Sequence, residues 1–373
     1  KTKFPGGVAR TDCTITEVKK SDGTIDVANS YAECTGDQEM QNFANWYQYY
    51  RKRHMSLAAA FGNALDGIRA LRGGEFVFND LSSVTMYDFD LTTDATKNQR
   101  RLLGEVYRVK GNGGTPTRES LDHLGKQFRR TGSGAPITHK CQFNGGFVIT
   151  DGFASNSGPT GFGNYDALAP GAKGPTEKDR TFDAYYFNQQ NSAAAPTGSG
   201  VTTPYKDSWS NTLADIAMKH YSENLRPDLP VGQVPVRWND TSPDADKNPN
   251  LHMNTFGLIL GLRGLVFGVD QAKTTDPYKN PVDWDALFAG NDPRNLQRDP
   301  RAIDELWHAT INGRGAMLAA DSPEQTRSAI LDVVNNVQNR GGAAAAVSVS
   351  NANPVKGDNF SYQSSYNSGS WYG

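Results

Sequence analysis

The sequence is poor in the features that mark several common classes of protein. Its 373 residues include only three cysteines, none of them in a Cys-x-x-Cys pair, which argues against a disulfide-rich scaffold and against a zinc site. No apolar run approaches the roughly 18 residues of a membrane span. Lysine and arginine total 38 against 40 aspartates and glutamates, so no overall basic field exists to attract nucleic acid. We therefore expect neither a membrane span nor a nucleic-acid partner.

The apolar, glycine and proline content predicts a folded core with long polar loops. Hydrophobic residues make up 37% of the chain, below the roughly 45% usual for globular proteins, and 38 glycines with 19 prolines indicate much loop structure. The longest polar loop is 153–208, which is rich in Gly, Ser, Asn, Ala and Pro. We expect this stretch to be a surface insertion with few buried apolar side chains.

Apolar residues at helical spacing predict a long helix near the start of the chain. The pattern runs through 38–71 without a proline and predicts a single amphipathic helix, which Gly73–Gly74 ends. Two short strands are predicted at 75–78 and 84–89. A second helix is predicted over 94–109.

Capping residues predict where the later helices begin. Thr115 suits the N-cap of the third helix, and Pro116 suits its first position. Further helices are predicted to begin at about 210 and about 303. The last helix is predicted to have Ser322 as its cap, with a capping box.

Two continuous apolar runs predict strands that are buried on both faces. These runs are Gly146–Thr150 and Thr255–Leu262. Strands that alternate with helices of this length indicate right-handed βαβ units and a mostly parallel sheet covered on both faces, so the predicted fold class is α/β. Ligands bind such sheets beyond the carboxyl ends of the strands, where Asp151 stands.

Cys13 and Cys34 are the candidates for a disulfide in the polar segment 1–37. Bonded, they close a loop of about 20 residues, which is worth roughly 3 kcal/mol in an oxidising compartment. Free thiols are the alternative, and the sequence leaves both open. Either way, Cys141 stays unpaired.

The sequence offers no recognisable set of catalytic residues. It contains no His-Glu-x-x-His, Gly-x-Ser-x-Gly or phosphate-loop motif, and no spacing positions a pair of carboxylates. Asp244–Asn248 imitates the start of a calcium loop, but Pro249 stands where that loop needs glycine, which favours a solvated acidic loop. His220 and His308 lie on amphipathic helices and are interpreted as packed or solvated histidines rather than ligands. We therefore predict a protein that is not an enzyme.

Two motifs together resemble the metal-ion-dependent adhesion site of von Willebrand factor A domains. Gly113–Leu121 opens a predicted helix like the second loop of that site, and Phe147–Gly152 ends a predicted strand like the third. Narrower features are similar to PilY-type pilus biogenesis and tip proteins. These features are Gln41–Arg53, Cys141–Gln142 and Asp304–Gly315. The resemblance runs from about Glu39 to Gly373.

The resemblance implies a site for Mg²⁺ or Ca²⁺ that contains Thr115 and Asp151. That site is incomplete, because the Asp-x-Ser-x-Ser loop that supplies its other ligands is not found. Asp80–Val84 has valine at the second serine position and follows the long helix instead of preceding it. We expect the chain to begin downstream of the missing loop and its strand, the alternative being that the site was lost. Weak or absent Mg²⁺ affinity is expected.

The resemblance also implies a domain arrangement. A von Willebrand A-like domain over 38–341 carries the insertion and is followed by a linker at 342–358. Residues 359–373 alternate aromatic and small polar side chains, and no partner strand is recognisable in the sequence. They are interpreted as the first strand of a C-terminal β-propeller.

Similarity to PilY-type proteins implies a non-enzymatic, secreted module that supports pilus assembly, control of extension and retraction, and surface attachment. The implied partners are minor pilins at the pilus tip and a host or abiotic surface ligand, at the outer surface of a Gram-negative cell. One alternative is a metal-dependent hydrolase that uses a crevice at Thr115 and Asp151. Another is a cytosolic chaperone-type subunit with a von Willebrand A domain, which a Cys13–Cys34 disulfide would exclude in practice.

Overall fold

The chain forms two units, Lys1–Ala59 and Ala60–Gly373, in a computed structural model. The structure describes residues 2–5, 13–65, 68, 71–89, 95–111, 113–150, 153–154, 158–167, 204–235, 246, 248–342, 347–349 and 361–363.

The first unit contains a three-stranded antiparallel sheet, where the sequence predicted only a polar segment. The strands are β1 (Thr2–Pro5), β2 (Thr14–Thr16) and β3 (Tyr31–Cys34), in the order β1-β3-β2. Alternate residues of the middle strand, Ala32 and Cys34, are buried. A strand that is paired along both edges has its backbone groups hydrogen-bonded. Because side chains alternate between the two faces of a strand, Ala32 and Cys34 lie on the same face.

The predicted single helix over 38–71 is wrong, because the structure has two helices there. They are α1 (Gly36–Tyr49) and α2 (Arg53–Leu65). A capping box between Thr35 and Gln38 begins α1. At its end the guanidinium of Arg51 folds back over the ring of Tyr47, 4.0 Å from the centroid, and the chain leaves the helical path.

Helix α1 also differs from its prediction in burial. All of its residues are described, and none is buried. Its aromatic residues pack on one another instead of on a core, with ring centroids 5.9 Å apart for Phe43 and Trp46 and 6.0 Å apart for Phe43 and Tyr47. The spacing of the apolar residues therefore predicted a helix correctly here, but the side of the helix that carries them is not buried.

The second unit contains the α/β core. Its elements in chain order are β4 (Arg72–Gly73), β5 (Tyr87–Asp88), α3 (Ala95–Val106), α4 (Thr117–Phe128), β6 (Gly145–Thr150), α5 (Leu213–Ser222), β7 (Asn254–Leu260), α6 (Gln271–Thr275), α7 (Trp284–Leu287), α8 (Arg301–Asn312), β8 (Met317–Ala320), α9 (Pro323–Gly342), β9 (Val347–Val349) and β10 (Ser361–Gln363).

A parallel three-stranded sheet, ordered β6-β7-β8, is the centre of this unit and confirms the α/β fold class. Helix α8 packs on one face, where Ile259 of β7 joins Ile303 and Trp307 in one hydrophobic cluster. Helix α9 packs against β7 and β8. On the face of Phe256, a Cβ added at Gly145 would lie 3.0 Å from the Val337 side chain of α9. Both faces of the sheet are therefore covered, as its apolar strands predicted.

Three predictions about local structure in this unit need correction. Helix α4 begins at Thr117 with Pro116 at the capping position and no side-chain cap, so Thr115 is not the N-cap. The strand predicted at 75–78 is wrong, because β4 lies before it at Arg72–Gly73, and of the strand predicted at 84–89 only β5 (Tyr87–Asp88) forms. At α9, Ser322 Oγ accepts from the amide of Gln325 as predicted, but the Gln325 side chain accepts from Asp321 rather than from the cap residue.

The stretch 153–208 does not lie wholly outside the core. Its residues 155–157 and 168–203 lie outside the described residues, but the described parts at its two ends are packed. Tyr165 and Tyr205 are fully buried and belong to the cluster around Trp284 and Trp307. The expectation of few buried apolar side chains is wrong at both ends, because these aromatic residues fill space against α8.

The predicted isolated strand near the end of the chain has a partner. Strand β10 pairs antiparallel with β9, which lies in the predicted linker. The alternation Val347-Ser348-Val349 supplies a strand-like pattern that the alanine-rich surroundings obscured. None of the helices in the described part of the chain has the length and apolar character of a membrane-spanning segment.

Candidate functional site

The loop that carries Thr115 leads into α4 and is tied to the turn before Val84. Asn79 Nδ2 donates to the carbonyl of Gly114 at 2.9 Å, and Gly113 has a φ of 86°, which favours glycine. The carbonyl of Thr115 accepts from the amide of Thr117 at 2.9 Å. The serine-rich turn 80–84 therefore lies beside the predicted second metal loop.

The other member of the predicted metal pair, Asp151, lies outside the described residues. Strand β6 leads to it and ends at Thr150, whose side chain is buried. Convergence of Thr115 and Asp151 stays a prediction. One described hydroxyl is not a divalent-cation site, because Mg²⁺ needs a set of oxygen ligands.

A different group of side chains is brought together on α8. His308 is fully buried in the middle of the helix, and its ring stacks on Trp284 with centroids 4.1 Å apart and planes 13° apart. Its Nε2 lies 2.6 Å from the carbonyl oxygen of Tyr205 and 3.8 Å from Asp166 Oδ2. Its Nδ1 lies 3.6 Å from Asp207 Oδ2. A histidine and two aspartates, all buried, thus share one small space, with ligand atoms within 4.8 Å of one another.

Hydrogen bonds fix most of this group. Asp166 Oδ2 accepts from Asn312 Nδ2 at 2.9 Å, and Asp166 Oδ1 accepts from the amide of Asp207 at 3.3 Å. Asp207 Oδ1 accepts from the amide of Trp209 at 2.8 Å. Within the described chain, Asp207 Oδ2 and His308 Nδ1 are buried with no hydrogen-bond partner. These two atoms face each other.

Burial controls the ionisation of the group. It lowers the pKa of His308 to about 3, so the ring is neutral at physiological pH. It raises the pKa of Asp207 to about 8, with the Asp215 carboxyl adding to the effect. Burial also raises the pKa of Asp166 well above its usual range, and the nearby Asp207 and Asp215 carboxyls raise it further. Each shift has the same cause, which is the cost of a charge without water.

The neighbouring carboxylates in this part of the core have hydrogen-bond or ion-pair partners within the chain. Asp215 completes a capping box with Thr212 at the start of α5 and accepts from the amide of Tyr165 at 2.5 Å. Glu305 forms a buried ion pair with Arg118 of α4 and accepts from the amide of Leu213 at 2.9 Å. The exposed fraction of the Arg118 and Glu305 side chains is 0% and 1%. These carboxylates hold helices in place and are not open to a ligand.

The group on α8 was not among the predicted sites. His308 is packed, which is one of the two states expected of it. Asp166 and Asp207 lie at the two ends of the stretch that was interpreted as a surface insertion. A usable signal was the polar content of a helix at the core, since α8 carries Asp304, Glu305 and His308 in one turn and a half. Buried polar side chains require partners, and those partners come from elsewhere in the chain.

Two further histidines, and the Asp246 side chain of the presumed acidic loop, are buried. His220 Nε2 lies 3.2 Å from Asp122 Oδ1. Asp246, predicted to lie in a solvated loop, has a side chain only 7% exposed and pairs with His252 at 2.9 Å. The prediction of a solvated loop is therefore wrong at Asp246, because histidine, tyrosine and asparagine side chains close around it.

In the first unit, Cys13 and Cys34 form a disulfide, with their α-carbons 4.8 Å apart. That separation is inside the range of about 4.4–6.8 Å usual for disulfides. Cys141 is a free, partly buried cysteine. The bond joins the middle strand β3 to the residue just before β2.

Comparisons with known proteins find relatives but no matching fold. No family model matches the chain, and no solved structure matches it. The chain is 26% identical over 366 residues to the type IV pilus biogenesis factor PilY1 of Pseudomonas aeruginosa strain PAK, covering 90% of this chain and 29% of that protein.

PilY1 proteins of two other strains of the same species give similar values. Identity is 27% over 368 residues with strain PAO1, covering 88% of this chain and 29% of the relative. It is 25% over 352 residues with strain UCBPP-PA14, covering 87% and 28%. The chain spans less than a third of the length of the curated relatives it matches. Over about nine tenths of its length, the chain is therefore similar to PilY1 type IV pilus biogenesis factors.

Proposed function

We propose that this chain is a non-enzymatic interaction module of a type IV pilus biogenesis factor. The observation that carries the proposal is its similarity to PilY1 proteins, which extends through 87% to 90% of the chain rather than through one motif. The proposed module supports pilus assembly, control of extension and retraction, and surface attachment. Its proposed partners are minor pilins at the pilus tip and a host or abiotic surface ligand.

The Cys13–Cys34 disulfide supports a location outside the cytoplasm. Structural disulfides persist in oxidising compartments and are rare where glutathione and thioredoxin keep thiols reduced. A cytosolic chaperone-type subunit is disfavoured for that reason. The proposed location is the outer surface of the cell, at the pilus tip or the outer membrane.

The parallel α/β sheet is compatible with the proposed von Willebrand A-like domain. Metal binding at Thr115 and Asp151 stays a prediction, and so does the hydrolase that would depend on it, since only Thr115 is described. The proposed function does not depend on that pair. The C-terminal β-propeller is likewise a prediction.

A chimera tests the proposal. The segment of PilY1 from strain PAK that matches this chain is replaced by the chain itself, in cells that lack their own PilY1. We expect surface pili and twitching motility to be restored at least in part, because the module keeps its partners. A chimera that is exported and folded, yet leaves cells without pili, would contradict the proposal.

A matched control separates failure of the module from failure of the junctions. The same segment is exchanged for its counterpart from strain UCBPP-PA14, between the same boundaries. We expect that control to restore pili fully. Its failure would show that the boundaries, and not the module, had interrupted the protein.

A further inference from the structure

The buried group on α8 contains a contact that ordinary hydrogen bonding does not explain. His308 Nε2 lies 2.6 Å from the Tyr205 carbonyl oxygen, which only accepts, so the proton of the neutral ring is on Nε2. Nδ1 then carries the lone pair and lies 3.6 Å from Asp207 Oδ2. When Asp207 is ionised, two acceptors therefore lie next to each other, and in the part of the chain that is described neither has a hydrogen-bond partner.

The surroundings leave this pair no access to bulk water. The exposed fraction of Asp166 and His308 is 0%, and that of Asp207 is 3%. The indole of Trp284 covers one face of the imidazole ring. An acceptor pair in such a place costs free energy unless a cation or a shared proton lies between the two atoms.

We propose that His308, Asp207 and Asp166 form a structural site for a divalent transition-metal cation of the zinc type. His308 Nδ1 and Asp207 Oδ2 are the principal ligands, and the Asp166 carboxylate completes the set, directly or through one water. The two aspartates balance the charge of the cation. The site is separate from the predicted Thr115 and Asp151 pair and does not depend on the pilus role.

The distances suit such an ion. Two ligand atoms about 2.1 Å from a tetrahedral zinc lie about 3.4 Å apart, close to the 3.6 Å between His308 Nδ1 and Asp207 Oδ2. The limit of 4.8 Å for the whole group is slightly above the roughly 4.2 Å that two ligands reach across one ion, so a small inward shift closes the site.

The ligand types select the class of metal. Imidazole nitrogen suits zinc and its neighbours in the first transition row, whereas Mg²⁺ and Ca²⁺ take oxygen ligands. The histidine is also oriented as metal-binding histidines are, because its other ring nitrogen donates to a backbone carbonyl. Asn312 orients the Asp166 carboxylate in the same manner.

The position of the ligands gives the ion a structural role. Asp166 and Asp207 lie on either side of 168–203, and His308 lies on the helix beneath both described ends. A bound cation therefore ties the two ends of that stretch to α8. The expected consequence is a gain in stability on metal loading.

Refolding with and without metal tests the site. The full chain is unfolded in guanidinium with EDTA and without reductant, desalted, and refolded with EDTA, ZnCl₂, MnCl₂, MgCl₂ or CaCl₂. Unbound metal is removed, and bound metal is measured by mass spectrometry. We expect zinc to be retained in equimolar amount and to raise Tm by about 5 °C or more over the EDTA sample. MgCl₂ and CaCl₂ are expected to give neither result.

Two matched variants locate the ion. Asp207→Asn keeps the size of the side chain but places an amide donor opposite His308 Nδ1, so the variant is expected to fold without metal and to lose both zinc and the Tm response. Asp246→Asn makes the same change in the hydrogen-bonded pair with His252 and is expected to retain zinc. A wild-type chain that refolds without retaining zinc, or an Asp207→Asn chain that retains it, overturns the proposal.

Cobalt substitution decides the question in the wild-type chain alone, including the case in which Asp207→Asn does not fold. Co²⁺ held by one imidazole and carboxylates is expected to absorb in the visible without a sulfur-to-metal charge-transfer band. A strong charge-transfer band would assign the ion to the thiolate of Cys141 and would overturn the proposed site.

Discussion

Two buried histidine–aspartate pairs in the second unit, His252 with Asp246 and His308 with Asp207, differ in how completely they are hydrogen-bonded. At His252, both ring nitrogens lie within hydrogen-bond distance of an oxygen, the Asn250 carbonyl at 2.6 Å and Asp246 Oδ2 at 2.9 Å. Asp246 in turn accepts from a tyrosine hydroxyl, an asparagine side chain and a backbone amide. At His308, one nitrogen is bonded and the other faces Asp207 Oδ2, which has no donor among the described residues.

The difference shows that burial and residue type do not decide what a histidine–aspartate pair does. The number of donors around the carboxylate decides it. A carboxylate with several donors closes a network that holds the fold by itself. A carboxylate that lacks them depends on a proton or a cation for its stability.

Asp246→Ala is expected to have the largest effect, because it opens the closed network. The change removes the oxygen beside His252 Nε2 and one of the two acceptors of Asn254 Nδ2, in a buried place. Removal of one partner of a buried pair costs about 3–5 kcal/mol. Urea unfolding followed by circular dichroism measures the loss, and a cost under about 1 kcal/mol would mean that water replaces the carboxylate easily.

Gly125→Ala tests a third histidine–aspartate pair, in which His220 Nε2 bonds to Asp122. A Cβ at position 125 would overlap the imidazole ring of His220, which cannot swing away without breaking that bond. Overpacking of this kind costs about 1–3 kcal/mol. Gly104→Ala in helix α3, where the added Cβ meets nothing within 4 Å, is the matched control in the same unfolding experiment. Equal stability of the two variants would show that the His220 ring is free to move.

The pH dependence of unfolding tests the same pair by a smaller effect. Burial lowers the pKa of His220 in the folded chain below its unfolded value of about 6.5. The contribution of the neutral His220 ring to the free energy of unfolding is therefore fully present above about pH 6.5. It is lost as the pH falls from there through the pKa of the folded state. We expect the free energy of unfolding to drop from pH 7 to pH 5, and to drop less in His220→Gln. Parallel pH profiles for the two proteins would contradict this assignment.

Asp207→Ala, measured in EDTA, is expected to have the smallest effect. The Asp207 carboxylate accepts one described hydrogen bond, from the amide of Trp209, and its other oxygen faces a lone pair. Removing it costs less than about 1 kcal/mol, because the lost bond is offset by relief of an unsatisfied acceptor. A loss as large as that of Asp246→Ala would erase the distinction between the two pairs.

The parts of the fold that were predictable are those whose pattern is local. Strands β6 and β7 are runs of apolar residues, and the start of α9 carries its own cap at Ser322. The break between α1 and α2 was not predictable, because apolar spacing continues through it. Exposed aromatic residues on α1 give the same periodic signal as buried ones.

The site on α8 was not predictable, because its three ligands share no spacing. Asp166, Asp207 and His308 come from two loops and a helix, and each has an ordinary local explanation. Packing of Tyr165 and Tyr205 in the hydrophobic cluster with Trp307 of α8 brings the aspartates to the histidine. Tertiary contacts between distant segments produce the site, and sequence spacing does not record such contacts.

The central sheet also determines how the second unit reaches its folded state. Gly145 of β6 pairs with Asn254 of β7, more than a hundred positions later in the chain, while β7 and β8 pair over a much shorter separation. Because closing a longer loop costs more chain entropy, we expect β7 and β8 to associate before β6 joins them. During synthesis, the apolar strand β6 therefore has no partner strand until the ribosome has synthesised β7. That interval is when the chain is most exposed to aggregation and most in need of a chaperone.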